Sequence, residues 1–202
     1  MATLHFICGK AGAGKTTLAR ALGRTLPALV FCEDEWIATL GVEVRTLDDF
    51  LAASARCRAL IAPLATDVLR LGMSVVLDFA GNTLKGRAWV RSLFEAANAD
   101  HLLHVIEASD AGCLANIRRR NDEKPAGVYF GHVSDEMFHA VTPYFAPPAP
   151  EEGFRTVVAR GHGAASKSAS SSASGRWKAS DQVASSPRVS ARPPKRRSRS
   201  RS

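Results

Sequence analysis

The chain has 202 residues, 46% of them hydrophobic and 23% charged, which suits one folded domain with a further segment attached. Its net charge of +8 is uneven: residues 1–159 hold 16 Lys and Arg against 18 Asp and Glu, and residues 160–202 hold 11 against 1. That distribution excludes a general electrostatic case for nucleic acid on the folded part, and no run of eighteen apolar residues argues for a membrane-spanning helix.

The first residues lack a basic region followed by an apolar one, so no signal peptide is expected. Cys8, Cys32, Cys57 and Cys113 form no C-x-x-C pair and read as reduced thiols of a cytoplasmic protein. Leu4-His5-Phe6-Ile7-Cys8 predicts a buried strand. It leads into Gly9, Lys10, Ala11, Gly12, Ala13, Gly14, Lys15, Thr16 and Thr17, which fit G-x-x-x-x-G-K-[ST] without a mismatch. Helix formers at helical spacing follow over residues 17–22. Strand, glycine loop and helix are the setting this motif requires. The glycines let the backbone approach an anion closely, and the loop amides with the positive end of the helix form an anion nest. Lys15 supplies a point charge for the β- and γ-phosphates, and the Thr16 hydroxyl can bind Mg²⁺. The motif predicts a bound nucleoside triphosphate.

A second strand is predicted over Pro27-Ala28-Leu29-Val30-Phe31, running into the acidic Glu33-Asp34-Glu35. In an open α/β sheet that strand end is where ligands bind. These acids read either as a helix first turn favoured by the macrodipole or as the source of a base, Asp34, for an attacking hydroxyl. Apolar residues at helical spacing over 47–71 predict one long helix with a possible kink at Pro63, ending at Gly72. Arg45, Arg56 and Arg58 lie on or near it and read as a solvated face, although a substrate is within their reach. Ser74-Val75-Val76-Leu77 predicts a buried strand closed by Asp78, an acid placed to hold Mg²⁺ or, alternatively, to cap a helix. Asn82 and Thr83 read as caps of a helix over 84–98, or as substrate contacts. A fourth strand is predicted over 101–106, with His101 and His104 as ordinary sheet-edge histidines.

Asp110 reads as the cap of a helix that finishes in Arg118, Arg119 and Arg120 and passes into a loop over 121–131. Cations at a helix end suit its dipole, but three together suggest a lid bringing guanidinium groups over phosphates. Arg120 ranks first for that role, Arg118 second, and Arg119 faces solvent. Ser134 reads as the cap of a further helix, and a final edge strand over 154–158 closes a domain spanning residues 1–159. Residues 160–202 carry 13 serines and few aliphatic residues, and are expected to be disordered. The basic end reads either as a weak, salt-dependent polyanion contact or as a low-complexity extension.

The loop over 9–17, Asp34, Asp78 and the arginine-bearing lid together resemble the zeta-toxin-like and polynucleotide-kinase-like small P-loop kinases. The later pattern Cys113, Arg118-x-Arg120-Asn121, Ser134, Phe138, Tyr144-Phe145-x-x-Pro148 and Glu152-Gly153-Phe154 resembles bacterial ATP-binding proteins of the zeta-toxin-like branch. The resemblance covers residues 3–158. It implies an α/β fold with a parallel five-stranded sheet of order 2-3-1-4-5, and ATP-dependent phosphorylation of a small-molecule hydroxyl. Lys15 and Arg120 would then stabilise the γ-phosphate, Thr16 and Asp78 would serve Mg²⁺, and Asp34 would be the base. Ile37 stands where polynucleotide kinases have a basic residue, and Asn116 where related chains tend to have arginine. A polynucleotide 5′-hydroxyl kinase and a non-catalytic ATP-binding switch are the alternative functions.

Overall fold

The computed structural model of the protein describes residues 1–79 and 81–160. The expectations for residues 161–202 fall outside the described residues. Parallel strands β1 (Thr3–Cys8), β2 (Ala28–Cys32), β3 (Ser74–Asp78), β4 (Asp100–Glu107) and β5 (Thr156–Arg160) form one sheet in the order β2-β3-β1-β4-β5. The helices are α1 (Lys15–Thr25), α2 (Glu33–Thr39), α3 (Leu47–Arg70), α4 (Leu84–Ala96), α5 (Asp110–Glu123) and α6 (Asp135–Val141), with 3-10 turns at Thr142–Tyr144 and Pro150–Glu152. The α/β class and the strand order are those the resemblance implied. Among the described residues, no helix is long and apolar enough to cross a membrane.

The central strands are apolar on both faces because helices cover both. Leu4 and Phe6 of β1 and Val75 and Leu77 of β3 pack with Ile61 and Leu69 of α3 and Val90 and Phe94 of α4. Ile7 and Val76 point into the opposite layer, against Ala19 and Leu22 of α1, Ile117 of α5 and Phe138 of α6. Each fully buried large aliphatic there contributes about 1.5–3 kcal/mol. β1 has β3 on one side and β4 on the other. The chain order reverses at β1, and the crevice at its carboxyl end is where such sheets bind ligands.

α3 runs unbroken through Pro63. A reciprocal cap starts it, with the Asp49 amide donating to Thr46 Oγ1 and the Thr46 amide donating to an Asp49 carboxylate oxygen. Gly72, at φ 84°, follows its end.

Four local expectations need correction. Ser109, not Asp110, caps α5, its Oγ accepting from the Gly112 amide at 3.1 Å, because Asp110 is already the first helical residue. α5 also continues past the arginines to Glu123 before Lys124 turns left-handed at φ 46°. Asn82 does not cap α4; Thr83 does, accepting from the Gly86 amide at 3.0 Å. β4 lies inside the sheet, so His104 is no edge residue: it is 7% exposed, and its Nε2 meets His5 Nδ1 at 3.1 Å. Burial holds both rings' pKa values down at about 4.

Candidate active site

The loop between β1 and α1 is fixed from three sides. The Gly9 amide donates to Asn82 Oδ1 at 3.0 Å, which ties the loop to the chain after β3. Asn116 Nδ2 of α5 donates to the Gly12 carbonyl at 3.0 Å. Gly12 itself sits at φ 75°, where an added Cβ would lie 2.4 Å from the Cys113 carbonyl oxygen, a backbone atom that cannot move aside. Only glycine lets the loop lie this close to α5. Asn82 and Asn116 thus brace the loop, a role that neither the cap or substrate contact expected of Asn82 nor the family departure noted at Asn116 points to.

Above the braced loop, α1 begins at Lys15 with no side-chain cap. The amides of Gly12, Gly14, Lys15, Thr16 and Thr17 donate to no partner among the described residues. Gly14, at φ 102°, has open space where a Cβ would stand. Uncapped amides at the positive end of an eleven-residue helix form an anion site. Lys15 Nζ reaches back to the carbonyls of Gly9 at 2.7 Å and Lys10 at 2.9 Å. Burial lowers its pKa, and the carboxylates of Asp78 and Asp34 oppose that shift. Lys10 forms an ion pair with Asp110 across the loop's outer side. Ala11 and Ala13 pack against the α1–α5 layer, and Thr17 is exposed on the first turn of α1.

In-register pairing of Cys32 with Asp78 brings the ends of β2 and β3 together. Asp78, 8% exposed, accepts from the Cys32 thiol at 3.3 Å, and burial followed by the Asp78 charge pushes the Cys32 pKa far up. Asp34 follows in the first turn of α2, so the two readings of this acidic stretch are compatible: it opens a helix and stands at a strand end. Asp34 keeps solvent access. The protein crowded around it and the Asp78 carboxylate raise its pKa, while Lys15 and Arg120 pull it back. Its two acidic neighbours are engaged elsewhere: Glu33 accepts from Ser54 in the core, and Glu35 pairs with Arg20.

Asp34 is therefore within electrostatic reach of Lys15, Asp78 and Arg120, and Lys15 within reach of both acids. Arg120 carries a buried Nε with no hydrogen-bond partner. Arg118 is not brought to this cluster. It pairs with Asp135 on the exposed surface between α5 and α6, two positions and thus about half a helix turn from Arg120. Arg119 is exposed. The segment suggested as a lid is residues 124–134, which link α5 to α6, and Asn121 clasps its far end by donating to the Val133 carbonyl at 2.7 Å and accepting from the Val133 amide at 3.3 Å.

A second cation that sequence patterning passes over is Arg87 of α4, wholly buried. Its Nε and one terminal nitrogen form a fork onto Glu152 at 2.6 and 2.7 Å, and the other donates to the carbonyls of Gly81 at 3.0 Å and Ala146 at 2.8 Å. Gly81 precedes the Asn82 that holds Gly9, so Arg87 supports the phosphate loop from beneath.

Thr16, in the first turn of α1, and Asp78, at the end of β3, both offer oxygen donors. Two protein oxygens, completed by water and phosphate, suit Mg²⁺. No group of three His, Cys, Asp or Glu placed to hold a metal occurs among the described residues.

No curated protein matches the sequence. Among solved structures, a candidate kinase from Chloroflexus aurantiacus is 19% identical, with a TM-score of 0.60 over 79% of this chain and 85% of that one. Chaetomium thermophilum Kti12, solved in complex with ADP-AlF3, is 17% identical, with a TM-score of 0.57 over 77% and 88%. A gluconokinase from Sinorhizobium meliloti is 15% identical, with a TM-score of 0.51 over 80% and 83%. They share the P-loop kinase fold, and residues 4–148, which contain the loop, both acids and the lid, match the AAA_33 model. The chain belongs to the AAA_33 family of AAA domains.

Proposed function

We propose that this protein is an ATP-dependent phosphotransferase that moves the γ-phosphate of ATP to a hydroxyl of a small molecule. The observation that carries this reading is the gathering of Lys15, Asp34, Asp78 and Arg120 around the uncapped start of α1. Residues 9–17 take the phosphates, chiefly through backbone amides. Thr16 and Asp78 hold Mg²⁺, which when bound neutralises charge on the phosphate oxygens. Lys15 leaves its two carbonyl partners for the phosphates. Asp34 accepts the proton of the acceptor hydroxyl, and its raised pKa suits a general base better than an ordinary aspartate would. Arg120 stabilises charge on the transferring group through its planar fork. Arg118 stays on Asp135 in this assignment.

Within the family, the spacing of Arg120, Asn121, Phe138 and Glu152-Gly153-Phe154 supports the zeta-toxin-like branch. The kinase neighbours support phosphoryl transfer, and four buried, unpaired cysteines support a reducing, cytoplasmic setting. Any polyanion contact would belong to the tail.

ADP release with a metabolite panel tests the reading. Lys15→Ala should abolish substrate-stimulated release, and Asp34→Asn should lower kcat at least tenfold with ATP binding intact. Unchanged turnover in Asp34→Asn removes the base assignment. ATP binding without transfer to any alcohol would favour the switch.

A further inference from the structure

Two guanidinium groups among the described residues have a buried Nε with no hydrogen-bond partner, those of Arg120 and Arg58. A buried charged donor without a partner is costly, and in native structures it calls for an explanation such as an absent ion or ligand. For Arg120 the transferring phosphoryl group provides it. Arg58 has no part in that chemistry.

Arg58 lies on α3, with its side chain only 25% exposed, so it is not the solvated surface arginine its sequence position suggests. On one side its guanidinium carbon stands 5.1 Å from the centre of the Trp89 ring. Trp89 packs in turn on Phe79, the residue after Asp78, with ring centres 5.5 Å apart. On the other side the nearest carboxylate is that of Glu33, the residue before Asp34. Arg58 thus lies between Glu33, the chain neighbour of Asp34, and Trp89, which packs on the chain neighbour of Asp78.

Glu33 is the counter-ion of this cation but gives its Nε no hydrogen bond. Its Oε1 is 3.6 Å from Arg58 Nε, beyond hydrogen-bond reach, and that same oxygen accepts from Ser54. Arg58 makes no hydrogen bond to any described residue. The indole holds the flat cation, leaving its donor edge for a planar or tetrahedral anion, which arginine binds through two parallel hydrogen bonds. Arg20 on α1 differs: it already donates to Glu35 and to the Gly127 carbonyl.

We infer that the acceptor alcohol carries an anionic group, carboxylate or phosphate, and that Arg58 binds it. The inference rests on the kinase reading for the identity of this pocket's ligand as the acceptor, and it names the acceptor's class. Arg58 is a specificity-determining residue that takes no part in proton or phosphoryl transfer.

Isothermal titration in Mg²⁺ and a nonhydrolysable ATP analogue tests it, using matched probes: gluconate against glucose, glycerate against glycerol, and glucose 6-phosphate against glucose. At least one acid should bind tenfold or more tighter than its neutral counterpart, and the responding pair distinguishes carboxylate from phosphate. Arg58→Met should erase that preference while leaving the affinity for the ATP analogue within twofold. Arg58→Lys, which keeps a charge beside Glu33, guards against loss of folding and should retain a reduced preference. Equal affinity within every pair, no binding by any probe, or an unaltered preference in Arg58→Met overturns the inference. A preference that depends on Arg58, without ADP release above that of Lys15→Ala, upholds the anion site and counts against the kinase reading alone.

Discussion

Removing the Glu152 carboxylate with Glu152→Ala would leave the Arg87 guanidinium fully enclosed, with only two carbonyl partners and no counter-charge. Breaking a buried pair from one side costs about 3–5 kcal/mol, because the surviving ion remains desolvated. For a domain of this size each kcal/mol lowers Tm by roughly 2–4 °C, so thermal unfolding followed by circular dichroism should show a drop of about 10 °C. Arg87→Met should cost less, since Glu152 is 14% exposed and can take up water. The double variant should be less destabilised than the two single losses added together, since it strands no charge. Acid adds a second check. The hydrogen bonds from Arg87 hold the Glu152 pKa below its ordinary value. That stability is full above the ordinary glutamate pKa and is lost as pH falls through the depressed folded value. Arg87→Met should lack this acid-sensitive component. A Tm change under about 3 °C in Glu152→Ala, or additive losses in the double variant, would refute the reasoning.

Asn82→Ala leaves the buried Gly9 amide without its acceptor and should weaken ATP binding about tenfold, measurable by titration, and lower Tm by a few degrees. Gly12→Ala forces both a left-handed alanine and a clash with the Cys113 carbonyl, and should abolish ATP binding and destabilise the fold by more than about 2 kcal/mol in guanidinium unfolding. The Asp34 pKa is raised by burial and by Asp78, so its charged form costs stability above the folded pKa, and that cost disappears below the ordinary aspartate value. Solvent at the exposed Asp34 screens that cost, so Asp34→Asn should raise Tm only slightly at pH 7 and leave it unchanged below about pH 4, while activity is lost. His5 and His104 are held neutral by burial, so the stability they confer is complete above about pH 6.5 and falls away towards their folded pKa near 4. His104→Leu should flatten the unfolding free energy between pH 6.5 and 4.5 relative to wild type.

The sheet, the phosphate loop and the strand-end positions of Asp34 and Asp78 were legible because their signals are local. Glycine spacing marks the loop, apolar runs mark β1, β2 and β3, and an acid at or just beyond the end of such a run marks Asp78 and Asp34. Residues whose meaning depends on distant partners were not legible. Gly9 and Asn82 are 73 positions apart, Gly12 and Asn116 are 104 apart, and Arg87 and Glu152 are 65 apart. Arginines 58, 87 and 120 look alike in a sequence, yet one is enclosed, one is exposed to a quarter of its surface, and one stands beside the proposed base. Arg118 was misplaced for a related reason. Proximity along α5 suggested a shared role with Arg120, but a helix turns adjacent positions to different sides, and Asp135 was waiting on Arg118's side.

All four thiols of the protein are sealed inside the fold. Mild alkylating reagents should leave the native protein unmodified, so a single cysteine introduced at Ala126 in the lid would be the one reactive handle on the molecule. A fluorophore there would report any movement of residues 124–134 when ATP is added, with no need to strip the native cysteines first.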